Sequence, residues 1–402
     1  MERVITAVIP AFSEINIVRS AVVSLTTQWI PNNEFKLEVI IVNDNPNMDY
    51  SYFLSDAFKP MVGENVEIVL INNKGNYGQG TSRQIGIDNA TSNWVLLCDD
   101  DDMYAPNAVY RFWEILNEQH CSGDDGKSVA LIAAPLYSFD KNKERKIIEA
   151  QNIWPNAKLY NRQFLRENEI RFPDGKNSHR SEDYPFVKKL IYAISNSGCY
   201  KVISFDDTAD TFYYWMPNRK SRSRSERFYN ALLTPFTTYS TCMIYDYYKW
   251  YNKRFGIEKD KDEFMKKEIL NMNVYAYFNY LSWMFQMSQG WKDDEKFLEE
   301  DWELYKSSLK KLKQELKVYW GEIIPSDIFS MQTKVKENSD IIFVESWIGS
   351  FESWIEKGYK TDKMSFKDIK EYCSTLKFDE NKHEIGSTYV KAWCKRNNVK
   401  IW

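Results

Sequence analysis

Four consecutive carboxylates, Asp99-Asp100-Asp101-Asp102, directly follow the apolar run Trp94–Cys98. Adjacent acids repel one another unless water or a cation relieves them. A hard divalent ion such as Mn2+ or Mg2+ takes carboxylate oxygens and bridges readily to phosphates. In a free loop such a run is solvated decoration; at the end of a buried strand it points to a metal. A second acidic pair, Glu182-Asp183, opens a segment with Phe186, Val187, Leu190 and Ile191 at helical spacing. Acids there favour a helix N-terminus through its dipole, and Ser181 can cap it. His179, one of 3 histidines, is either an added metal ligand or an ordinary polar surface residue. Asp44 lies between Asn43 and Asn45, as an Asx-turn former or as an acceptor for a ligand. Asn218–Arg227 (NRKSRSRSER) holds five basic residues in ten, suited to phosphate or to a solvated linker.

The elements that must position these residues alternate. Val4–Pro10, Leu37–Asn43, Val66–Asn72 and Trp94–Cys98 read as strands buried on both faces. Ser13 is placed to cap a helix over Glu14–Gln28, and Gln79–Ala90 reads as another helix. This alternation predicts a parallel sheet with helices on both faces, which binds ligands outside the carboxyl ends of its strands. Three strands end in polar clusters there: Asn43-Asp44-Asn45, Asn72-Asn73-Lys74-Gly75 and Asp99–Asp102. Shorter strands follow, among them Ala130–Pro135 and Val202–Phe205. Beyond about residue 226 long amphipathic stretches dominate, over Phe228–Phe255, Asp262–Gln286 and Asp293–Tyr319. A boundary is expected near Asn218–Arg227, giving domains over 1–225 and 226–402.

Composition sets the outer limits. With 402 residues and 43% apolar content, the chain suffices for one large domain or two ordinary ones. The net charge of −4 argues against a protein that wraps nucleic acid, while leaving room for a local basic groove. The six cysteines form no CxxC pair and read as reduced thiols in a cytoplasmic protein. Neither a secretory signal nor a run of about 20 apolar residues is evident, so any membrane contact is expected to be peripheral.

Five segments, taken in order, resemble a family 2 glycosyltransferase with the GT-A fold. TAVIPAF (Thr6–Phe12) resembles the opening strand and its proline turn. EVIIVNDNPN (Glu38–Asn47) resembles the second strand, NKGNYGQGTSRQIGIDNA (Asn73–Ala90) the glycine-bearing loop and Arg-Asn-x-Gly helix. WVLLCDDDD (Trp94–Asp102) resembles the strand ending in Asp-x-Asp-Asp, and HRSEDYPFVKKL (His179–Leu190) the segment that supplies the base. The resemblance spans about residues 4–225. It departs at Asn43-Asp44-Asn45-Pro46, where the family has Asp-Asp-Gly-Ser, and at Arg83-Gln84, where it has Arg-Asn.

The resemblance implies an α/β GT-A (Rossmann-like) domain followed by a mainly α-helical C-terminal domain. It implies an inverting transferase moving a sugar from a nucleoside-diphosphate sugar, UDP expected, to an acceptor hydroxyl. Asp101, with Asp99, is the expected Mn2+ or Mg2+ ligand, and Asp99 alternatively touches the ribose. Asp100 belongs with the donor-binding set, and Asp102 is secondary. Asp44 is expected to accept from the nucleobase, and Pro10, Ala11 and Phe12 to line the base and ribose pocket. Arg83 reaches the phosphates or braces the acids. Asp183 is the expected general base, with Glu182 orienting it or the acceptor. Arg219, Lys220 and Arg222 are expected in a loop closing over the diphosphate. Trp154 and Tyr160 fall on the acceptor side, or are plain core.

Two other functions compete. A nucleotidyltransferase also sets acids after strands, but carries a glycine-rich basic loop after the first strand, which Pro10–Asn16 lacks. A decayed, glycan-binding module is opposed by the intact Asp99, Asp101 and Asp183. The acceptor is left open among a cell-wall or surface glycan, a teichoic acid-like polymer and modified phage DNA. The C-terminal region is expected to recognise the acceptor or to form a homo-oligomer.

Overall fold

The computed structural model describes residues 4–122, 127–139, 145–148, 150, 154–173, 182–205 and 212–216, with scattered positions between 246 and 255 and between 365 and 368. Two compact units divide the chain, Met1–Ser221 and Arg222–Trp402. The elements below belong to the first. The helices expected over 226–402 lie almost wholly outside the described residues, as do His179, Ser181, Arg219, Lys220 and Arg222.

Four strands lie where their unbroken apolar runs predict: β1 (Val4–Ala11), β2 (Lys36–Asn43), β3 (Val66–Asn72) and β4 (Trp94–Leu97). β2 pairs in parallel with β1 and β3, and β1 in parallel with β4. Side chains alternate across a strand, so β1 serves two layers. Ile5, Ala7, Ile9 and Ala11 join one core with Val18, Ala21, Val22 and Leu25 of α1 (Ile15–Thr26) and with Phe112 and Leu116 of α3 (Ala108–Ser122). On the other face Val8 meets α2 (Gln79–Asn89) at Gly86, where a Cβ would lie 2.1 Å from a Val8 methyl. Glycine at that position is therefore a packing requirement.

The sheet continues through β6 (Ser128–Ala133), β9 (Lys158–Asn161) and β10 (Tyr200–Ser204), in the order β10-β6-β9-β4-β1-β2-β3. Here the sequence reading needs correction. The sheet is mixed, because β9 runs antiparallel to both β4 and β6. A four-residue strand carries no mark of direction; its pairing with two neighbours sets it. A smaller sheet joins β5 (Met103–Tyr104), β11 (Tyr213–Trp215), β7 (Leu136–Phe139) and β8 (Arg145–Ile148). A second correction concerns Ser13. The cap position of α1 is Glu14, which makes no side-chain cap; Ser13 lies one residue before it, where its backbone N–H donates to Asp100 at 2.8 Å. The acidic pair opens α5 (Asp183–Ser197), as its spacing predicts. No helix among the described residues is long and apolar enough to cross a membrane.

Candidate active site

The carboxyl ends of β1, β2, β3 and β4 converge, and each acid there has its own partners. Asp100 accepts from the backbone N–H groups of Phe12 and Ser13 through one oxygen, both at 2.8 Å. It thus holds the Pro10-Ala11-Phe12 turn at the end of β1, leaving the Phe12 ring 49% exposed above it. Asp44 is buried. Its Oδ1 accepts from Asn73 Nδ2 at 2.9 Å and from the Tyr77 N–H at 2.7 Å, and its Oδ2 from the Gly78 N–H at 2.8 Å. The loop between β3 and α2 is therefore folded around Asp44. Gly78 enters α2 at φ 91, a left-handed conformation that glycine adopts freely. Asp44 plays a turn-holding part, and any contact to a base would add to it.

Asp99 sits at the centre. Its Oδ1 accepts from Gln79 Nε2 at 3.0 Å and Arg83 Nη2 at 2.6 Å, and its Oδ2 from Asn156 Nδ2 at 3.0 Å. The other end of the Arg83 fork donates from Nη1 to Glu182 at 2.6 Å and to Asp183 at 2.8 Å. The Arg83 side chain is 2% exposed, against 22% for Asp99 and 24% for Asp183. Of its two expected roles, Arg83 fills the bracing one, with both terminal nitrogens on carboxylates. Gly80, in the first turn of α2, makes room for this. A Cβ there would come 2.7 Å from Glu182 Cγ, so the helix can approach the acidic pair only without a side chain.

Asp102 turns inward, fully buried. It accepts from the Tyr213 hydroxyl at 2.7 Å and from the Met216 N–H at 2.8 Å, so it anchors β11. The same Tyr213 oxygen accepts from the Asp99 N–H at 3.2 Å. Asp101 lies half-buried between these two anchored acids.

Burial and neighbouring charge shape the protonation states. Burial pushes Asp183 well above the usual carboxylate range, Glu182 and Asp99 push the same way, and Arg83 opposes them. Burial likewise raises Asp102, with Asp99 and Asp101 adding to it. Burial works against the charge on Arg83, but Asp99, Asp183 and Glu182 outweigh it and hold the guanidinium charged. Lys158 on β9 is buried, which brings its amine down to about 7 while Asp183 pulls it back up. Its Nζ donates to the Trp154 carbonyl at 2.7 Å.

Asp99 and Asp183 share an open cleft with Leu136, Trp154, Pro155, Asn156, Tyr213 and Trp215. The sequence reading placed Trp154 on the acceptor side and missed Asn156, Lys158, Tyr213 and Gln79 as neighbours of the acids. Gln79 lay inside the quoted glycine-loop segment, the one available signal. Nothing local marks Asn156 or Tyr213, which reach Asp99 across 57 and 114 residues of chain. Tyr160 is buried beside Phe186 and takes its core role.

Residues 6–183 match the sequence profile of Glycosyl transferase family 2. The chain is similar to the poly(ribitol-phosphate) beta-glucosyltransferase of Bacillus spizizenii, 24% identical over 239 residues, 57% of this chain and 35% of that protein. It is also similar to the uncharacterized glycosyltransferase YwdF of Bacillus subtilis, 25% identical over 185 residues, 43% of this chain and 65% of that one. This chain thus spans about a third and just under two thirds of those relatives. Among solved structures it resembles residues 1–349 of TarS from S. aureus in complex with UDP-GlcNAc, with a TM-score of 0.53 and 14% identity, covering 94% of this chain and 97% of that one. At that identity the likeness speaks for the fold. Profile, relatives and fold agree that residues 6–183, within the first unit, form a family 2 glycosyltransferase domain of the GT-A fold.

Proposed function

We propose that the protein transfers a sugar from a nucleoside-diphosphate sugar, with UDP as the nucleotide, to a hydroxyl of a teichoic acid-like polyol-phosphate polymer, with inversion. The observation that carries this reading is the Arg83 fork. It ties Asp99, at the end of the donor-side strand, to Asp183, at the start of α5, through bonds of 2.6 and 2.8 Å. A donor-side acid and a candidate base are thereby held in one rigid cluster, as a displacement at a single carbon requires. Burial, with Glu182 and Asp99 adding to it, raises the proton affinity of Asp183 above that of an ordinary carboxylate, and Asp183 lines the cleft where a hydroxyl can approach. It takes the acceptor proton as the oxygen attacks the anomeric carbon. Glu182, buried on the same nitrogen of Arg83, fixes the side from which Asp183 meets the cleft. The polymer acceptor is supported by the name of the B. spizizenii relative, and UDP by the ligand of the TarS complex.

A divalent cation fits this site in one way. Among the described residues no three His, Cys, Asp or Glu side chains gather into a cage for a metal. Mg2+-like ions need only one or two carboxylates when phosphates complete the shell. Asp101 would be the main protein ligand, as the family resemblance implies, with Asp99, which accepts three hydrogen bonds, beside it. Together they would hold such an ion, which would supply positive charge against the departing diphosphate. The unit from 222 onward is assigned to acceptor recognition, and the protein to the cytoplasm, at the membrane surface.

Titration calorimetry with UDP, with and without Mn2+, on the wild type and on Asp101→Ala tests this. The expected result is metal-dependent binding that the substitution abolishes. Equal UDP binding by both proteins, with or without Mn2+, would remove the metal from the reading. Absence of binding to UDP, GDP, CDP and TDP alike would remove the donor.

A further inference from the structure

The cleft beside Asp99 and Asp183 has an aromatic wall in which Trp154, expected on the acceptor side, is joined by Trp215, which the resemblance did not name. The rings of Trp154 and Trp215 stand 5.4 Å apart, tilted by 38°, and both line the cleft. Trp154 follows undescribed residues and Trp215 ends β11, so two distant parts of the unit supply the pair. Both are half-buried on the cleft wall. An aromatic face carries partial negative charge, and the C–H-rich face of a sugar ring is its complement.

Asn156, 6% exposed, lines the same cleft as the two tryptophans. An aspartate can only accept, so the bond to Asp99 must come from the amide nitrogen of Asn156, which fixes the direction of the group. Its Oδ1 is then left buried without any hydrogen-bond partner. A buried acceptor without a donor costs stability and calls for an explanation. The adjoining backbone carries a further cost, because Ala157, fully buried, sits at φ 57, a conformation that L-residues with a Cβ avoid. The turn that aims Asn156 is thus held against its own preferences.

We infer that Trp154, Asn156 and Trp215 form a sugar subsite, in which a pyranose ring stacks on the tryptophan pair and one of its hydroxyl or acetamido N–H groups donates to Asn156 Oδ1. The inference rests on the transferase reading above and adds the residues that read the sugar. The ring comes either from the nucleotide sugar or from the acceptor. Both present the same chemistry, and both must meet between Asp99 and Asp183. The amide also links recognition to the acids, since the group that reads the ring is bonded to Asp99.

The test uses the full chain as wild type, Trp215→Leu and Asn156→Ala. One arm compares the affinity for UDP with that for UDP-glucose and UDP-GlcNAc by calorimetry. The other measures saturation transfer from the protein to methyl β-glucopyranoside and ribitol with UDP present in excess. A subsite for the donor sugar appears as a preference of the wild type for UDP-sugar over UDP, and one for the acceptor as transfer to the free ligands. In the arm that responds, each substitution is expected to weaken the sugar signal about five- to tenfold, the worth of one aromatic or hydrogen-bonding contact. UDP affinity should stay within about twofold of wild type in both variants, as a group that reads only the sugar requires. Sugar signals unchanged by both substitutions would overturn the subsite. So would a loss of UDP affinity in Asn156→Ala as large as its loss of sugar signal, because Asn156 would then only hold Asp99. If the wild type binds no nucleoside diphosphate at all, the donor reading itself falls, and the subsite with it.

Discussion

Asp183 combines access to the cleft with a proton affinity above that of an ordinary carboxylate, and the pH dependence of transfer should report it. Burial and the acids Glu182 and Asp99 raise its pKa, so its base form is populated only as pH climbs past that raised value. kcat/KM is therefore expected to rise through an acidic limb whose midpoint lies above the roughly 4 of a free carboxylate. Arg83→Met removes the cation that opposes this shift, and the limb should move to higher pH. An unchanged limb in Arg83→Met would mean that Asp183 is not the titrating base. Asp183→Asn should lower kcat by about two to four orders of magnitude with UDP affinity retained. The same raised pKa has a stability side. The folded state binds this proton more tightly than the unfolded one, so the stabilisation is present below the unfolded pKa and lost as pH rises through the folded one.

At the scale of elements, α2 does most to bring the site together. It begins at Gly78, which Asp44 holds, lays Gly80 against Glu182, presents Arg83 to three acids and rests Gly86 on Val8 of β1. Gly86→Ala gains helix propensity, worth about 1 kcal/mol, but drives a methyl into Val8 at 2.1 Å. Overpacking of this kind costs about 1–3 kcal/mol, commonly more than the gain, and at this size each kcal/mol lowers Tm by about 2–4 °C. Thermal denaturation should therefore show Gly86→Ala less stable than wild type. Adding Val8→Ala should recover part of the loss, and a strictly additive pair would rule out the contact as the cause. Gly80→Ala presses on Glu182 instead, and is expected to reduce kcat more than stability.

At the scale of the molecule, each site residue described here lies within Met1–Ser221. A protein ending at Arg227, past the segment expected to close over the diphosphate, is expected to bind UDP with the affinity of the full chain while losing transfer to polymer; a fragment that folds but fails to bind UDP would place part of the donor site beyond residue 227. The four apolar runs of β1 to β4 and the acids that follow them could be read from the sequence, because burial on both faces of a sheet demands unbroken apolar stretches and the carboxyl ends of such strands collect polar groups. The acidic pair at the start of α5 was legible for a similarly local reason, its spacing to Phe186 and Leu190. The antiparallel insertion of β9 was not, since four residues carry no direction until two neighbours pair with them. Bracing was one of two roles open to Arg83, and only the fold chose it, by bringing acids 16, 99 and 100 residues away onto one guanidinium; the turn that sets Asn156 beside Asp99 was not legible at all. The sequence by itself determined which strands are buried and which acids stand at their ends, because those are properties of neighbouring residues. Only the tertiary structure decided which acids share a cation, which are tied up in turns and which face the cleft, because a charge or hydrogen bond takes whatever partner the packed helices and sheet bring within about 3 Å, regardless of separation along the chain.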